Sequence, residues 1–272
     1  MTRLSAISVR QPDTAKAVVH GWRSPKAVQS RIDTLKPSQG EGYTLYISPT
    51  QLPTLPPALL DAVTDLGSWP TGAVVFGSAQ RQLVVMPPFS VASREPLAGW
   101  DFGPLLSMLQ QQRDIAVVLL RLGRYAVGVF RGSNLIASKT DTRYVKGRHK
   151  AGGTSQLRFQ RIRENQARSL FDKTCEMTRQ VLRPYQDSLQ YLALGGERHT
   201  LLGLRERCPY LSRFDGSLIP RTLEARVPNL ETLQKCGPRL YESLLVEVAP
   251  PVPFPSHSTP FNRPAQAGNI LP

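Results

Sequence analysis

Short apolar runs of strand length, separated by glycine and proline, fill the first half of the chain, and a long stretch of helical spacing follows. After a polar, mixed opening, Gly42-Tyr-Thr-Leu-Tyr-Ile47 reads as a strand that leaves into a loop at Ser48-Pro49. Residues Leu55 to Leu66 have helical spacing, with Pro56 and Pro57 tolerated in the first turn. Gly72-Ala-Val-Val-Phe76 and Gln82-Leu-Val-Val-Met86 flank a turn containing Gly and Ser, the pattern of paired strands. These elements predict a small α+β unit over residues 1–112.

From Asp114 the texture changes. Ile115 to Leu120, Tyr125 to Phe130 and Leu135 to Ser138 are strand-like runs broken at Gly123 and at Gly132-Ser-Asn134, which predicts an antiparallel meander. Lys139 to Ser155 is polar, basic and glycine-containing, with neither helical nor strand periodicity, so an exposed loop is expected over about 139–156. Ser155 to Leu182 then places Phe159, Ile162, Leu170, Thr174, Met177 and Val181 along one helical stripe, and Pro184 ends it. Gln190 to Leu194 is a strand closed by Gly195-Gly196, and a helix from Glu197 to Cys208 completes a βα unit returning to the same sheet. Asn229 to Leu245 is expected to be a last helix passing into strand at Leu245 to Val248. The fold class is therefore α+β with an α/β element, its second unit a mixed sheet with a long helix over 113–248. Residues 249–272 carry Pro250, Pro251, Pro253, Pro255, Pro260, Pro264 and Pro272 among small polar residues, and are expected to form a disordered tail.

Composition narrows the partner. The 272 residues carry a net charge of +14, and the pI is near 10.2. A surplus of that size fits a polyanion, because Lys and Arg that neutralise phosphates release condensed counterions. No apolar run is long enough to span a bilayer, so no membrane partner is expected. Met1 to Gln11 shows no apolar export segment, which leaves the cytoplasm as the expected compartment. Cys175, Cys208 and Cys236 lie far apart with no CxxC, and the histidines do not cluster with them. Buried thiols are expected instead of disulfides or zinc, and no metal or cofactor is expected.

The charge is concentrated between Lys139 and Arg168, where Lys139, Arg143, Lys146, Arg148, Lys150, Arg158, Arg161, Arg163 and Arg168 face only Asp141 and Glu164. On the expected helix, Arg158, Arg161, Asn165 and Arg168 recur at spacings that share one face, which can follow a phosphate backbone. A basic helix face is more often merely solvated, but this one adjoins a glycine-rich segment that packing does not require. Gly147, Gly152 and Gly153 allow close backbone approach to a substrate. Gln156 is a neutral amide that can orient water or a carbonyl but cannot take a proton.

The stretch Gly152-Gly-Thr-Ser-Gln-Leu-Arg-Phe159, followed by Gln160-Arg-Ile-Arg163, resembles the catalytic loop and following helix of eukaryotic and archaeal class-1 peptide release factors. Those carry Gly-Gly-Gln, then Ser-Ala-Leu-Arg-Phe and a basic helix. The resemblance extends in order through Tyr43 to Pro49, Gly72 to Phe76, Met86-Pro-Pro-Phe89 and the meander, covering most of residues 40–210. It departs at one position: the family glutamine is Thr154, and a glutamine stands two places later at Gln156. A displaced glutamine is similar to the Vms-like release factor (VLRF) branch, which frees nascent chains from stalled ribosomes. The stop-codon-reading Asn-Ile-Lys-Ser motif of the class-1 factors is absent, as are the ankyrin and zinc-finger segments of eukaryotic VLRF members. The resemblance is thus to the compact prokaryotic type.

The resemblance implies a catalytic segment of Gly152, Gly153 and Gln156 acting on peptidyl-tRNA in the peptidyl-transferase centre of the large ribosomal subunit. RNA contacts are expected from Arg143, Lys146, Arg148, His149, Lys150, Arg158, Arg161 and Arg168. Ester hydrolysis and scission of the tRNA near its CCA end both remain open. Two rivals are a ribosome- or RNA-binding protein that has kept the fold without the chemistry, and a nuclease unconnected with the ribosome. The second lacks a clustered Asp and Glu set for paired metal ions.

Overall fold

The computed structural model describes residues 16–35, 42–54, 59–60, 69–78, 81–142 and 154–249. The expected helix over Leu55 to Leu66 falls almost wholly outside them, as does the expected tail. Two sheets organise the chain. The first has six strands in the order β1 (Lys16–Arg23), β10 (Ser243–Ala249), β4 (Gln82–Met86), β3 (Ala73–Ser78), β2 (Gly42–Ile47) and β5 (Leu97–Ala98), and the second has four in the order β8 (Asn134–Thr142), β7 (Arg124–Arg131), β6 (Asp114–Arg121) and β9 (Leu189–Gly196).

In the first sheet, β2 (Gly42–Ile47), β3 (Ala73–Ser78) and β4 (Gln82–Met86) are the strands read from the apolar runs, paired antiparallel with Thr44 opposite Phe76 and Val75 opposite Val84. The short β5 (Leu97–Ala98) borders β2. Two elements lie ahead of them, in the stretch that reads as a polar, mixed opening: β1 (Lys16–Arg23) and α1 (Pro25–Asp33). The helix has a local start signal in Ser24, whose hydroxyl accepts from the Ala27 amide, and Pro25 in its first turn. Alternate strand residues face opposite ways. Leu45, Ile47, Val75, Val84 and Met86 pack with Trp69, while Tyr46, Val74, Phe76, Leu83 and Val85 pack under α1 and α2 (Gly103–Gln110) through Val28, Ile32, Leu105 and Leu109.

The meander forms as expected, with β6 (Asp114–Arg121), β7 (Arg124–Arg131) and β8 (Asn134–Thr142) antiparallel in sequence order. The strand β9 (Leu189–Gly196) lies parallel to β6, as the return through α3 (Thr154–Leu182) requires. Both faces of this sheet are covered, which is why β6 reads as an unbroken apolar run. Val118, Leu120, Tyr125 and Val127 meet α3 and α4 (Arg198–Arg207), and Ile115, Val117, Leu119 and Phe130 meet the segment that ends in α5 (Leu230–Gln234) and Tyr241.

Three expectations are corrected. Strand β8 runs on to Thr142, pairing Lys139 with Val127 and Thr142 with Arg124. Its last residues are polar because β8 is an edge strand with exposed side chains, and its ladder bonds come from the backbone whatever those side chains are. The stretch after Asn229 is not one helix. It comprises α5, a 3₁₀ turn at Gly237–Tyr241 and β10 (Ser243–Ala249), and β10 lies between β1 and β4 in the first sheet. Residues 243–248, grouped with the second unit by sequence, thus hydrogen-bond in the first. Cys175 and Cys208 are joined by a disulfide across a separation of 33 residues, with Cα atoms 5.4 Å apart. Cys236 is free and buried, and burial pushes its thiol up to about 11.

Phe89 ties the sheets together. It leaves β4 and enters the core of the second sheet, its ring 4.9 Å from Tyr191 and 5.1 Å from Tyr241. The Arg113 guanidinium lies over the Phe89 ring at 4.6 Å, and the Arg113 amide donates to the Tyr241 hydroxyl at 3.1 Å. Trp22 and Trp69 meet with ring centres 5.6 Å apart and planes tilted by 37°, and Arg221 of the second unit covers Trp22 at 4.6 Å. Trp100 stacks on Phe102 over the second face of the first sheet.

Gly196 closes β9 with φ at 129°, and a Cβ there would sit 1.9 Å from the Leu120 carbonyl oxygen. Both the backbone conformation and the space demand glycine. Gly196→Ala should lower stability by at least about 2 kcal/mol in urea unfolding, with the slope unchanged.

Candidate nucleic-acid interface

Helix α3 begins at Thr154, so Gln156 lies in its first helical turn and not in the loop assigned to 139–156. Strand β8 and helix α3 thus bound a segment of residues 143–153, which lies outside the described residues. Arg143, Lys146, Arg148, His149, Lys150, Gly152 and Gly153 all fall there. The backbone amides of the first turn have no partner within the helix, and the macrodipole makes this end positive.

The helix divides into two halves by burial. From Arg158 to Ser169 no side chain is buried: Arg158, Arg161 and Arg168 are exposed, and Phe159, Arg163, Gln166 and Ala167 are half-buried. From Leu170 onward the other side is seated in the core by Leu170, Thr174, Cys175, Met177, Thr178 and Leu182. The two buried threonine hydroxyls are satisfied locally, Thr174 donating to the Leu170 carbonyl and Thr178 to the Thr174 carbonyl, each at 2.8 Å.

Helix α4 holds the seated half. Cys208 closes the disulfide to Cys175, and Arg207 donates from Nε and Nη2 to the two carboxylate oxygens of Asp172, each at 2.9 Å. Hydrogen bonding to Asp172 holds the Arg207 guanidinium above the ordinary arginine range. Gly203 allows the approach, since a Cβ there would meet the Phe171 ring at 2.7 Å. The two members of each contact lie far apart in sequence, so spacing alone gave no sign of the clamp.

Of the residues assigned to RNA contact, the structure brings Arg158, Arg161 and Arg168 onto one exposed strip of α3, as the spacing predicted. Glu164 is the acidic residue of this half and accepts from Gln160 Nε2 at 2.9 Å. Among the described residues no three His, Cys, Asp or Glu side chains come together in a way that could hold a metal ion. No helix among them is long and apolar enough to cross a membrane. The arrangement suits a polyanion: an exposed cationic strip leading toward the positive end of the helix, whose first turn holds Gln156.

Comparison with known proteins gives this site its relatives. Residues 113–243 match the model of the family described as Actinobacteria/chloroflexi VLRF1 release factor. Peptide chain release factor subunit 1 of Archaeoglobus fulgidus is 33% identical over 97 residues, 36% of this chain and 24% of that protein. The corresponding protein of Methanopyrus kandleri is 28% identical over 124 residues, 46% of this chain and 28% of its own. The chain thus spans about a quarter of the length of these relatives. Among solved structures, the archaeal translation termination factor aRF1 aligns with a TM-score of 0.36 at 17% identity, over 80% of this chain and 73% of that one. Archaeoglobus fulgidus Pelota aligns with a TM-score of 0.26 at 10% identity, over 84% and 64%.

The burial contrast along α3 is testable. Leu170 is fully buried and Ile162 is 37% exposed. Leu170→Ala should cost about 3 kcal/mol in urea unfolding, and Ile162→Ala less than about 1 kcal/mol.

Proposed function

We propose that this protein, whose residues 113–243 carry the VLRF1-type release factor domain, frees nascent chains from stalled ribosomal complexes in the cytoplasm by cleaving peptidyl-tRNA. The observation that carries this reading is the continuity of Gln156, in the first turn of α3, with the exposed arginines of the same helix. A polyanion that engages Arg158, Arg161 and Arg168 is led along the helix to that end.

In this reading the tip enters the peptidyl-transferase centre of the large subunit. Gly152 and Gly153 let the backbone approach the tRNA end, and Arg143, Lys146, Arg148, His149 and Lys150 neutralise phosphates near it. Gln156 orients the reacting group through its amide. In ester hydrolysis, the oxygen of an oriented water forms a bond to the peptidyl carbonyl carbon. The bond from that carbon to the tRNA 3′ oxygen breaks, and the water's proton ends on that oxygen. In scission near the CCA end, the water oxygen instead bonds to a phosphorus of the tRNA, the bond from that phosphorus to a ribose oxygen breaks, that oxygen takes the proton, and Arg148 and Lys150 stabilise the charge developing on phosphate.

A second reading has one residue in its favour. Thr154 stands where the class-1 factors carry glutamine, which fits a binding protein that has kept the fold without the chemistry.

Incubation with large subunits bearing peptidyl-tRNA, followed by mapping of the tRNA 3′ end, separates these readings. An intact CCA end with a freed peptide identifies the ester route, and a shortened end identifies scission. Gln156→Ala should slow release about a hundredfold. Equal release by Gln156→Ala and the wild type would end the catalytic role of Gln156, and no release by either would favour the binding protein.

A further inference from the structure

Arg158, Arg161 and Arg168 are only part of the cationic strip on α3. At 100° per residue, Arg179 and the residue after the helix, Arg183, fall with them within about 80° of the circumference. The strip therefore runs the length of the helix, about 37 Å from Arg158 to Arg183. All five arginines are exposed. Two carboxylates share the strip, and both are engaged: Asp172 by Arg207 at 2.9 Å and Glu176 by Lys173 at 2.8 Å.

At its far end the strip meets a second element. Tyr210 lies in the 3₁₀ segment Pro209–Ser217, with the Arg179 Cζ 5.8 Å and the Arg213 Cζ 5.2 Å from its ring centre. Arg213 also lies 5.7 Å from the ring of Phe214, which meets Tyr210 edge-on at 6.5 Å. Nearby Arg205 is paired with Asp215, and Arg207 with Asp172. Among the described residues, Arg179, Arg183 and Arg213 have no carboxylate within ion-pair distance. Guanidinium groups gathered on one aromatic ring without an anion repel one another, and a phosphate backbone relieves that repulsion.

We propose that the Arg179–Tyr210–Arg213 cluster is a second RNA-binding site, which grips the phosphate backbone of ribosomal RNA in the large subunit while the other end of α3 reaches the tRNA. The inference rests on the ribosomal reading above. If only the tip at Gln156 meets the tRNA end, the rest of a 29-residue helix lies beside the RNA of the subunit it has entered. A site far from the tip that reads phosphates suits that wall. Both guanidinium groups lie beside the Tyr210 ring, which keeps them together before the RNA arrives.

The test is binding of the full-length protein to purified large subunits stripped of tRNA, at several salt concentrations. Arg179→Ala/Arg213→Ala should lower the slope of log affinity against log salt by roughly one to two units, and Arg179→Lys/Arg213→Lys should restore it. The thermal midpoint of each variant reports whether the fold is kept. The parallel pair Arg158→Ala/Arg161→Ala tests the strip near the tip. If that pair lowers the slope and the Arg179/Arg213 pair does not, the second site is wrong and the ribosomal reading stands. An effect of the Arg179/Arg213 pair seen only with tRNA present would assign the cluster to tRNA and overturn the ribosomal RNA assignment. If the wild type shows no binding to large subunits, with or without tRNA, the ribosomal reading itself fails.

Discussion

The seating of α3 from Leu170 to Leu182 against the second sheet and α4 is the constraint on which the site depends. Among the described side chains of α3 the fully buried ones lie in that half, so most of the hydrophobic free energy of packing is gained there, about 2 kcal/mol for a side chain such as Leu170. The other half is helical by propagation from a formed template, since adding a residue to an existing helix avoids the cost of nucleation. Its sequence helps, because Gln, Leu and Arg are good helix formers and Gln160 bonds to Glu164 one turn on. Arg158 and Arg161 sit close enough to oppose each other electrostatically. That cost falls when a polyanion lies along the strip.

A lever needs a fixed base. Phe89 enters the second sheet's core from the first sheet, Arg113 covers its ring, and Tyr241 meets both. The chain then returns, and β10 completes the first sheet between β1 and β4. The two sheets are therefore joined by packed aromatics and by the returning chain, and within the first sheet β1 at Lys16–Arg23 pairs with β10 at Ser243–Ala249. The base from which α3 extends is built from both units.

Much of this was legible in sequence wherever one periodicity dominated. The meander, α3 and the returning β9 announced themselves through apolar runs and a helical stripe, and the arginines at 158, 161 and 168 could be placed on one face by spacing alone. Elements whose identity depends on distant partners were not legible. The end of β8 is polar and reads as loop until its ladder to β7 is known. Ser243 to Ala249 adjoins a helical segment in sequence but is completed by strands from the opposite end of the chain. Cys175 and Cys208 share no motif and are brought together by the packing of α3 on α4. Arg179 and Arg183 carry the same spacing signal as Arg158, but their continuity with it emerges only when Asp172 and Glu176 are seen to be occupied. The resemblance to release factors was sharpest around Gln156 and covered most of residues 40–210, and the family match spans 113–243.

Amide hydrogen exchange along α3 in the free protein tests the central claim most directly, because protection reports the local free energy of opening. The account predicts a step near Leu170: slow exchange from there to Leu182, approaching that of the sheet core, and exchange faster by orders of magnitude toward Thr154. Uniform, core-like protection from Thr154 to Leu182 would mean that the first half is packed away, and would contradict an arm free to carry Gln156 to a substrate.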